Sequence, residues 1–85
     1  METEEIILNF IGEELLRGDG QVSVDPNTSL ISTGILDSLA LLKLLLFIEE
    51  RFSLKVKDGE VNPSNFETVN RITAFIENKR KEVTG

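Results

Sequence analysis

The chain of 85 residues contains no cysteine, histidine, tryptophan or tyrosine, and only two prolines. Without cysteine there is no disulfide and no thiolate-held metal, and nothing calls for an oxidising compartment. Without histidine the commonest general base and a common metal ligand are gone. A serine hydrolase of the histidine-dependent kind is therefore excluded. Basic residues are also scarce: 9 against 15 acidic ones, a net charge of −6. Such a chain repels nucleic acid and anionic membrane surfaces, and it attracts proteins that display Lys/Arg patches. Long hydrophobic runs are missing too. The longest apolar stretch, Leu39 to Ile48, is interrupted by Lys43 and is too short to cross a bilayer. The start, Met1-Glu2-Thr3-Glu4-Glu5, is acidic and unlike a signal peptide. The expectation is one cytoplasmic, monomeric domain over residues 1–85, with no stable membrane insertion.

What is present reads as helix. Thr3 is a candidate cap for a first helix, and Glu4 and Glu5 suit its positive end. Ile7, Phe10, Ile11 and Leu15 fall on one face at helical spacing, and Gly18 offers a stop. A long connection follows to Leu36, rich in turn formers such as Gly20 and Asp25-Pro26-Asn27, with Leu30 and Ile31 expected to pin it to the core. Asp37 is a good cap for a second helix that places Ser38 at its first position and runs to about Phe52. A short extended piece from Leu54 to Lys57 ends at Asp58-Gly59, and Asn62-Pro63 opens a helical turn that closes near Phe66. Thr68 caps the last helix, Ile72, Phe75 and Ile76 give its apolar face, and Lys79-Arg80-Lys81 complement its negative end. No strand pattern of useful length appears. The predicted fold is all-α: a small four-helix bundle with three main helices, one short helix and a long loop between helices 1 and 2.

The chemistry centres on Gly34-Ile35-Leu36-Asp37-Ser38-Leu39. It puts a serine hydroxyl at a helix N-terminus, where unpaired backbone N–H groups and the helix dipole favour an anion. Asp37 beside it could share a Mg²⁺ with an incoming phosphate. By themselves, Asp37 and Ser38 read equally as a capping pair. The second helix is apolar around its axis. Leu41, Leu44, Leu45, Ile48 and Phe52 make an inward face, whereas Leu39, Leu42 and Leu46 lie towards another side, as a cargo cavity, a docking patch or further core. A Ser–Lys pair is disfavoured because Lys43 projects from the helix body, away from the Ser38 end. Asp25, Asn27 and Ser29 imitate a calcium loop, but Leu30 and Leu36 stand where its glycine and closing glutamate belong. No metal site is expected.

Together these features resemble the acyl carrier protein superfamily, which includes acyl, peptidyl and D-alanyl carriers. The resemblance spans nearly the whole chain: an amphipathic first helix, the long loop, Asp37-Ser38-Leu39 opening a leucine-rich helix, Glu49-Glu50-Arg51-Phe52 closing it, and Thr68-Val69 opening the last. It implies a bundle of the acyl-carrier type and a 4′-phosphopantetheine arm on Ser38, delivered from coenzyme A by a phosphopantetheinyl transferase. Gly34, Asp37 and Leu39 would surround the arm, and Leu39, Leu42, Lys43, Leu46 and Glu50 would meet partners. Those partners would include a loading enzyme for an acyl or aminoacyl group and downstream synthases or transferases. The carrier itself would be no enzyme; it would shuttle a thioester-bound intermediate of a fatty-acid-like, polyketide-like or specialised lipid pathway. An aminoacyl cargo, D-alanyl or peptidyl, is the alternative, and a non-carrying helical adaptor is the alternative of another class.

The pattern also departs from the carriers of fatty-acid synthesis. Gly34 lies three residues before Asp37 instead of two, Ala40 replaces an aspartate, and Lys43 stands where those carriers usually have glutamate. These departures resemble D-alanyl carriers and stand-alone carriers of specialised pathways. The stretch Glu60 to Thr68, with Phe66 just before the last helix, resembles them too. Phe66 is expected to plug the bundle beside the arm.

Overall fold

A computed structural model describes residues 2–16 and 24–84. The chain folds as α1 (Glu2–Phe10), a π-helical turn (Ile11–Leu15), α2 (Ser38–Phe52), a 3₁₀ turn (Asp58–Glu60), α3 (Pro63–Phe66) and α4 (Val69–Thr84). It is an all-helical bundle of four helices among the described residues, as the apolar periodicity predicts.

The core is built where the helical faces meet. Ile7 and Ile11, Leu44 and Ile48, and Ile72 and Ile76 are fully buried, two from each main helix region. Removing these branched side chains from water is the main driving force for so small a bundle. Phe66 fills the gap between α3 and α4 at 1% exposure, its ring centroid 5.4 Å from that of Phe75. It is a core plug, as expected. Phe10 stacks on Phe47 at 4.3 Å and closes the bundle between α1 and α2.

Most helix ends follow their local signals. Asp37 Oδ1 accepts from the Ala40 N–H at 2.8 Å, Asn62 Oδ1 from Asn65 N–H at 3.2 Å, and Thr68 Oγ1 from Arg71 N–H at 3.1 Å. α2 ends at Ser53, which is left-handed at φ 54° and ψ 48° and donates its N–H to Glu49 O.

Three expectations differ. Thr3 is no cap: it lies inside α1, buried, and its hydroxyl donates to Glu77 Oε2 on α4 at 2.7 Å. That bond spends the hydroxyl on tertiary structure. Ile31 does not pin the loop, because it is 39% exposed while Leu30 beside it is fully buried. Leu30, whose N–H is tied to Glu67 O, takes the inward place of the two. Of the three basic residues expected to complement the end of α4, Lys81 lies in the last turn as expected, whereas Lys79 is engaged elsewhere, with Glu60, and Arg80 faces Glu77 and the Phe52 ring. The stop expected at Gly18 lies outside the described residues.

Candidate functional site

The long loop reaches the start of α2 by being stitched to the α3–α4 junction. Leu30 N–H donates to Glu67 O at 2.7 Å, and Asn70 N–H donates to Pro26 O at 3.0 Å. Asn70 Nδ2 donates to Asn27 Oδ1 at 2.6 Å. Ordinary turn chemistry shapes the Asp25–Thr28 corner, where Asn27 N–H donates to Asp25 Oδ1 at 2.7 Å. Beyond it, Gly34 takes φ +80°, a left-handed conformation that suits glycine, and Leu36 N–H returns to Leu30 O at 2.9 Å. The small loop from Leu30 to Leu36 is thereby closed, and it ends with Leu36 buried and Asp37 extended.

Ser38 emerges from this arrangement at the first position of α2, exposed. Asp37 occupies the Ala40 N–H with its carboxylate and the Leu41 N–H with its carbonyl. The Ser38 and Leu39 N–H groups are left at the helix end, where they can face an anion bonded to the serine.

Two surface clefts flank this helix start. One, of about 200 Å³, lies on the α3 side and is lined by Ser38, Ile31, Leu41, Val61, Pro63 and Phe66. The other, of about 540 Å³, lies on the α1 side between Leu15 and Leu16 and the residues Gly34, Asp37, Leu39 and Lys43. Ser38 belongs to the first cleft and Lys43 to the second, so the structure does not bring a lysine to activate the serine. Among the described residues there is also no group of acidic, histidine or cysteine side chains able to hold a metal ion.

The structure separates the leucines of α2 as their spacing suggests. Leu44 and Ile48 are fully buried, and Leu41, Leu45 and Phe52 are half-buried against the core. Leu39, Leu42 and Leu46 are 62%, 52% and 58% exposed. They form an outward stripe, which excludes the reading in which they belong to the core. Lys43 and Glu50 are exposed on the same helix. No described helix is long and apolar enough to cross a membrane.

One site feature was not read from sequence. The segment between α2 and α3 is fixed by Glu60, whose carboxylate accepts from Lys57 N–H at 2.9 Å and from Lys79 Nζ at 3.0 and 3.1 Å. These bonds, the Lys57 N–H first and the Lys79 ammonium second, hold the Glu60 carboxyl below its ordinary pKa. The signal for the local half was a glutamate three residues after Lys57, able to reach back to its N–H; the partner on α4 left none.

Comparisons with known proteins agree with this architecture. The family described as the phosphopantetheine attachment site matches residues 5–76. A D-alanyl carrier protein of Streptococcus suis is 35% identical over 89% of this chain and 92% of its own. A D-alanyl carrier protein of Lactobacillus helveticus is 28% identical over 96% of this chain and its own full length. The probable acyl carrier protein PigG of Serratia is 28% identical over 87% of this chain and 84% of its own. Among solved structures, the holo acyl carrier protein NE2163 of Nitrosomonas europaea superimposes with a TM-score of 0.78 at 28% identity, covering 95% of this chain and 99% of that one. A chain in a crystal structure of an FAD-dependent dehydrogenase gives a TM-score of 0.76 at 38% identity, covering 82% of this chain and 97% of that one.

With a bundle of this design and a family match across most of its length, the chain belongs to the phosphopantetheine attachment-site family of the acyl carrier protein superfamily. It is a carrier and not an enzyme, and its prosthetic group is a covalently attached 4′-phosphopantetheine.

Proposed function

We propose that Ser38 holds the 4′-phosphopantetheine arm and that the arm presents a small thioester cargo, of aminoacyl type, to partner enzymes. The observation that carries the site is the exposed Ser38 hydroxyl at the start of α2, next to a capping Asp37 and two backbone N–H groups able to face its phosphodiester. Asp37 would help to hold Mg²⁺ while the arm is transferred from coenzyme A. The arm supplies the thiol that this cysteine-free chain lacks. Gly34 and Leu39 would surround its base, and the α3-side cleft lined by Ser38, Leu41 and Phe66 would shelter it.

The cleft that Ser38 itself lines is the smaller of the two, about 200 Å³ against about 540 Å³, and supports a small cargo more than a long acyl chain. So does the fully buried packing of Leu44, Ile48, Ile7 and Ile11 behind α2. The D-alanyl carrier proteins among the relatives support the same reading. A specialised acyl cargo is the second reading, favoured by the acyl carrier PigG. The likeness to a chain in a crystal structure of an FAD-dependent dehydrogenase supports a flavin-dependent oxidoreductase as a further partner class, beside the phosphopantetheinyl transferase and a loading ligase. The setting proposed is the cytoplasm.

The test is the intact mass after incubation with coenzyme A, Mg²⁺ and a phosphopantetheinyl transferase. The wild type should gain one phosphopantetheine and Ser38→Ala none. The modified protein is then offered amino acids and fatty acids with ligases that activate each. Charging by a fatty-acid ligase alone would replace the aminoacyl reading with the acyl one. A folded wild type that gains no mass beside a modified control carrier would favour a non-carrying adaptor.

A further inference from the structure

Two basic runs stand out in a chain of net charge −6. Arg51 to Lys57 holds three basic residues and no acidic one, and Lys79-Arg80-Lys81 adds three more, six of the nine in the chain. The fold brings the runs together, because the ends of α2 and α4 meet. The guanidinium groups of Arg51 and Arg80 lie 5.7 and 5.8 Å from the centroid of the same ring, that of Phe52. Next to this ring, Ser53, Leu54, Lys55, Lys57 and Lys79 line a surface cleft of about 410 Å³. The segment after α2 builds the cleft. Leu54 is buried and Val56 half-buried, whereas Lys55 and Lys57 are exposed. Extended-chain alternation thus sets both lysines on the outer side, with Cα atoms about 7 Å apart. Val56 N–H donates to Glu49 Oε2 and Lys57 N–H to Glu60 Oε1, each at 2.9 Å, which fixes the segment. Lys79 enters from α4 with its ammonium held by Glu60. Most carboxylates at this end are therefore engaged: Glu49 by Val56, Glu60 by Lys79, and Glu77 by Thr3 and Arg80. Glu50 and Asp58 stay at the exposed rim. Arg51 already complements the negative end of α2 from its last turn. Lys55 and Lys57 form no ion pair among the described residues.

We propose that this cleft binds a phosphate monoester through Lys55, Lys57 and Lys79. Glu60 already offsets Lys79, so two ammonium charges are left. A phosphate monoester carries about −1.5 to −2 at neutral pH and offers three acceptor oxygens. It matches two ammonium charges and three lysines better than a single carboxylate does. Ser53 supplies a hydroxyl at the rim as a further donor. The cleft lies at the far end of α2 from Ser38, about 21 Å along the helix axis. A ligand held there leaves the Ser38 face open, and its binding is independent of what Ser38 carries. A soluble ester and a lipid headgroup share this chemistry, and the experiment separates them.

The experiment follows backbone amide resonances of the full chain during titration with methyl phosphate at constant ionic strength, with chloride as the control titrant. Ser53, Lys55, Lys57 and Lys79 should shift and saturate with the ester and stay still with chloride. Lys55→Gln and Lys57→Gln in one chain should weaken binding about tenfold, as expected for lost charge-assisted bonds. Arg71→Gln removes an exposed cation near the start of α4, outside the cleft, and should bind as the wild type does. Lys79 is left in place because its loss would also release Glu60. Sedimentation with phosphatidylcholine vesicles containing phosphatidic acid, lost in the double variant, would identify the ester as a lipid headgroup. Saturable binding of methyl phosphate without sedimentation would identify it as a soluble compound. Shifts that do not saturate would overturn the proposal. So would an unchanged affinity in a double variant whose helical spectrum matches the wild type, or vesicle binding that survives the double substitution. An equal loss in Arg71→Gln would overturn it as well, by showing diffuse attraction to charge in place of a site.

Discussion

Lys79 reaches from α4 to the α2–α3 connection and holds both carboxylate oxygens of Glu60, at 3.0 and 3.1 Å. Lys79 is only 11% exposed at its side chain and Glu60 27%, so the pair is partly sheltered from water. The same carboxylate accepts from Lys57 N–H, and Asn65 Nδ2 donates to the Glu60 carbonyl at 2.8 Å. One residue thus fastens the 3₁₀ turn to both α3 and α4.

That fastening should be sensitive to acid. The Glu60 pKa is lowered from 4.5 by the Lys57 N–H and the Lys79 ammonium. A group whose folded pKa is depressed contributes stability that is fully present above its unfolded pKa and is lost as pH falls through the folded value. Glu60 therefore supports the fold at neutral pH, and that support fades below 4.5. Glu60→Gln should cost about 1 kcal/mol at pH 7, allowing for its partial exposure. It should also flatten the fall in stability on acidification. Urea melts of both proteins at pH 7 and in mild acid check this.

The Asp37 cap predicts a different loss. Asp37→Ala removes the acceptor for the Ala40 N–H and should cost about 1 kcal/mol. Asp37→Ser keeps an oxygen acceptor and should recover most of it. Thermal melts followed by circular dichroism compare the two. A stability equal to wild type in Asp37→Ala would show the cap to be energetically idle.

Gly34 and Ser53 predict opposite signs from the same backbone rule. Both have positive φ, 80° and 54°. A Cβ at Gly34 would meet nothing within 4 Å, so Gly34→Ala costs only the left-handed backbone energy, about 1 kcal/mol or slightly more. Ser53→Gly relieves that strain at the end of α2 and should stabilise by about 0.5–1 kcal/mol. Equilibrium unfolding of the two single variants and the double variant should give additive shifts, since the two positions share no partner.

Phe66→Ala should be the most damaging of the substitutions. The ring is 1% exposed and packed on Phe75, and its removal leaves a cavity beside the α3-side cleft. The expected cost is about 3–5 kcal/mol, a large part of the stability of a domain this small. Phe66→Leu keeps most of the volume and should lose far less. Calorimetry or urea melts distinguish them.

Local signals carried most of the helix boundaries. Asp37, Asn62-Pro63 and Thr68 mark helix starts through bonds that reach only three residues ahead, so their chemistry is visible in the residues themselves. The helix start at Ser38 was legible for the same reason. What stayed hidden depends on distant partners. Thr3 looks like a cap in isolation, and only Glu77, 74 residues away, turns it into a buried donor. The Lys79–Glu60 pair spans 19 residues and a change of direction. The π-helical turn over Ile11–Leu15 adds a residue to a turn of helix, a shift in winding that apolar spacing does not encode. Leu30 and Ile31 could not be told apart, since both are apolar and only the closed turn decides which faces in.

The loop that positions Ser38 takes its anchors from Glu67 and Asn70, more than thirty residues further along the chain. During synthesis, α1 and α2 can leave the ribosome as helices while the loop still has nothing to be tied to. The shape of the Ser38 region is thus completed only when the start of α4 has emerged. On the proposed attachment at Ser38, a transferase that recognises that shape would meet it late, and half-made chains would escape tagging.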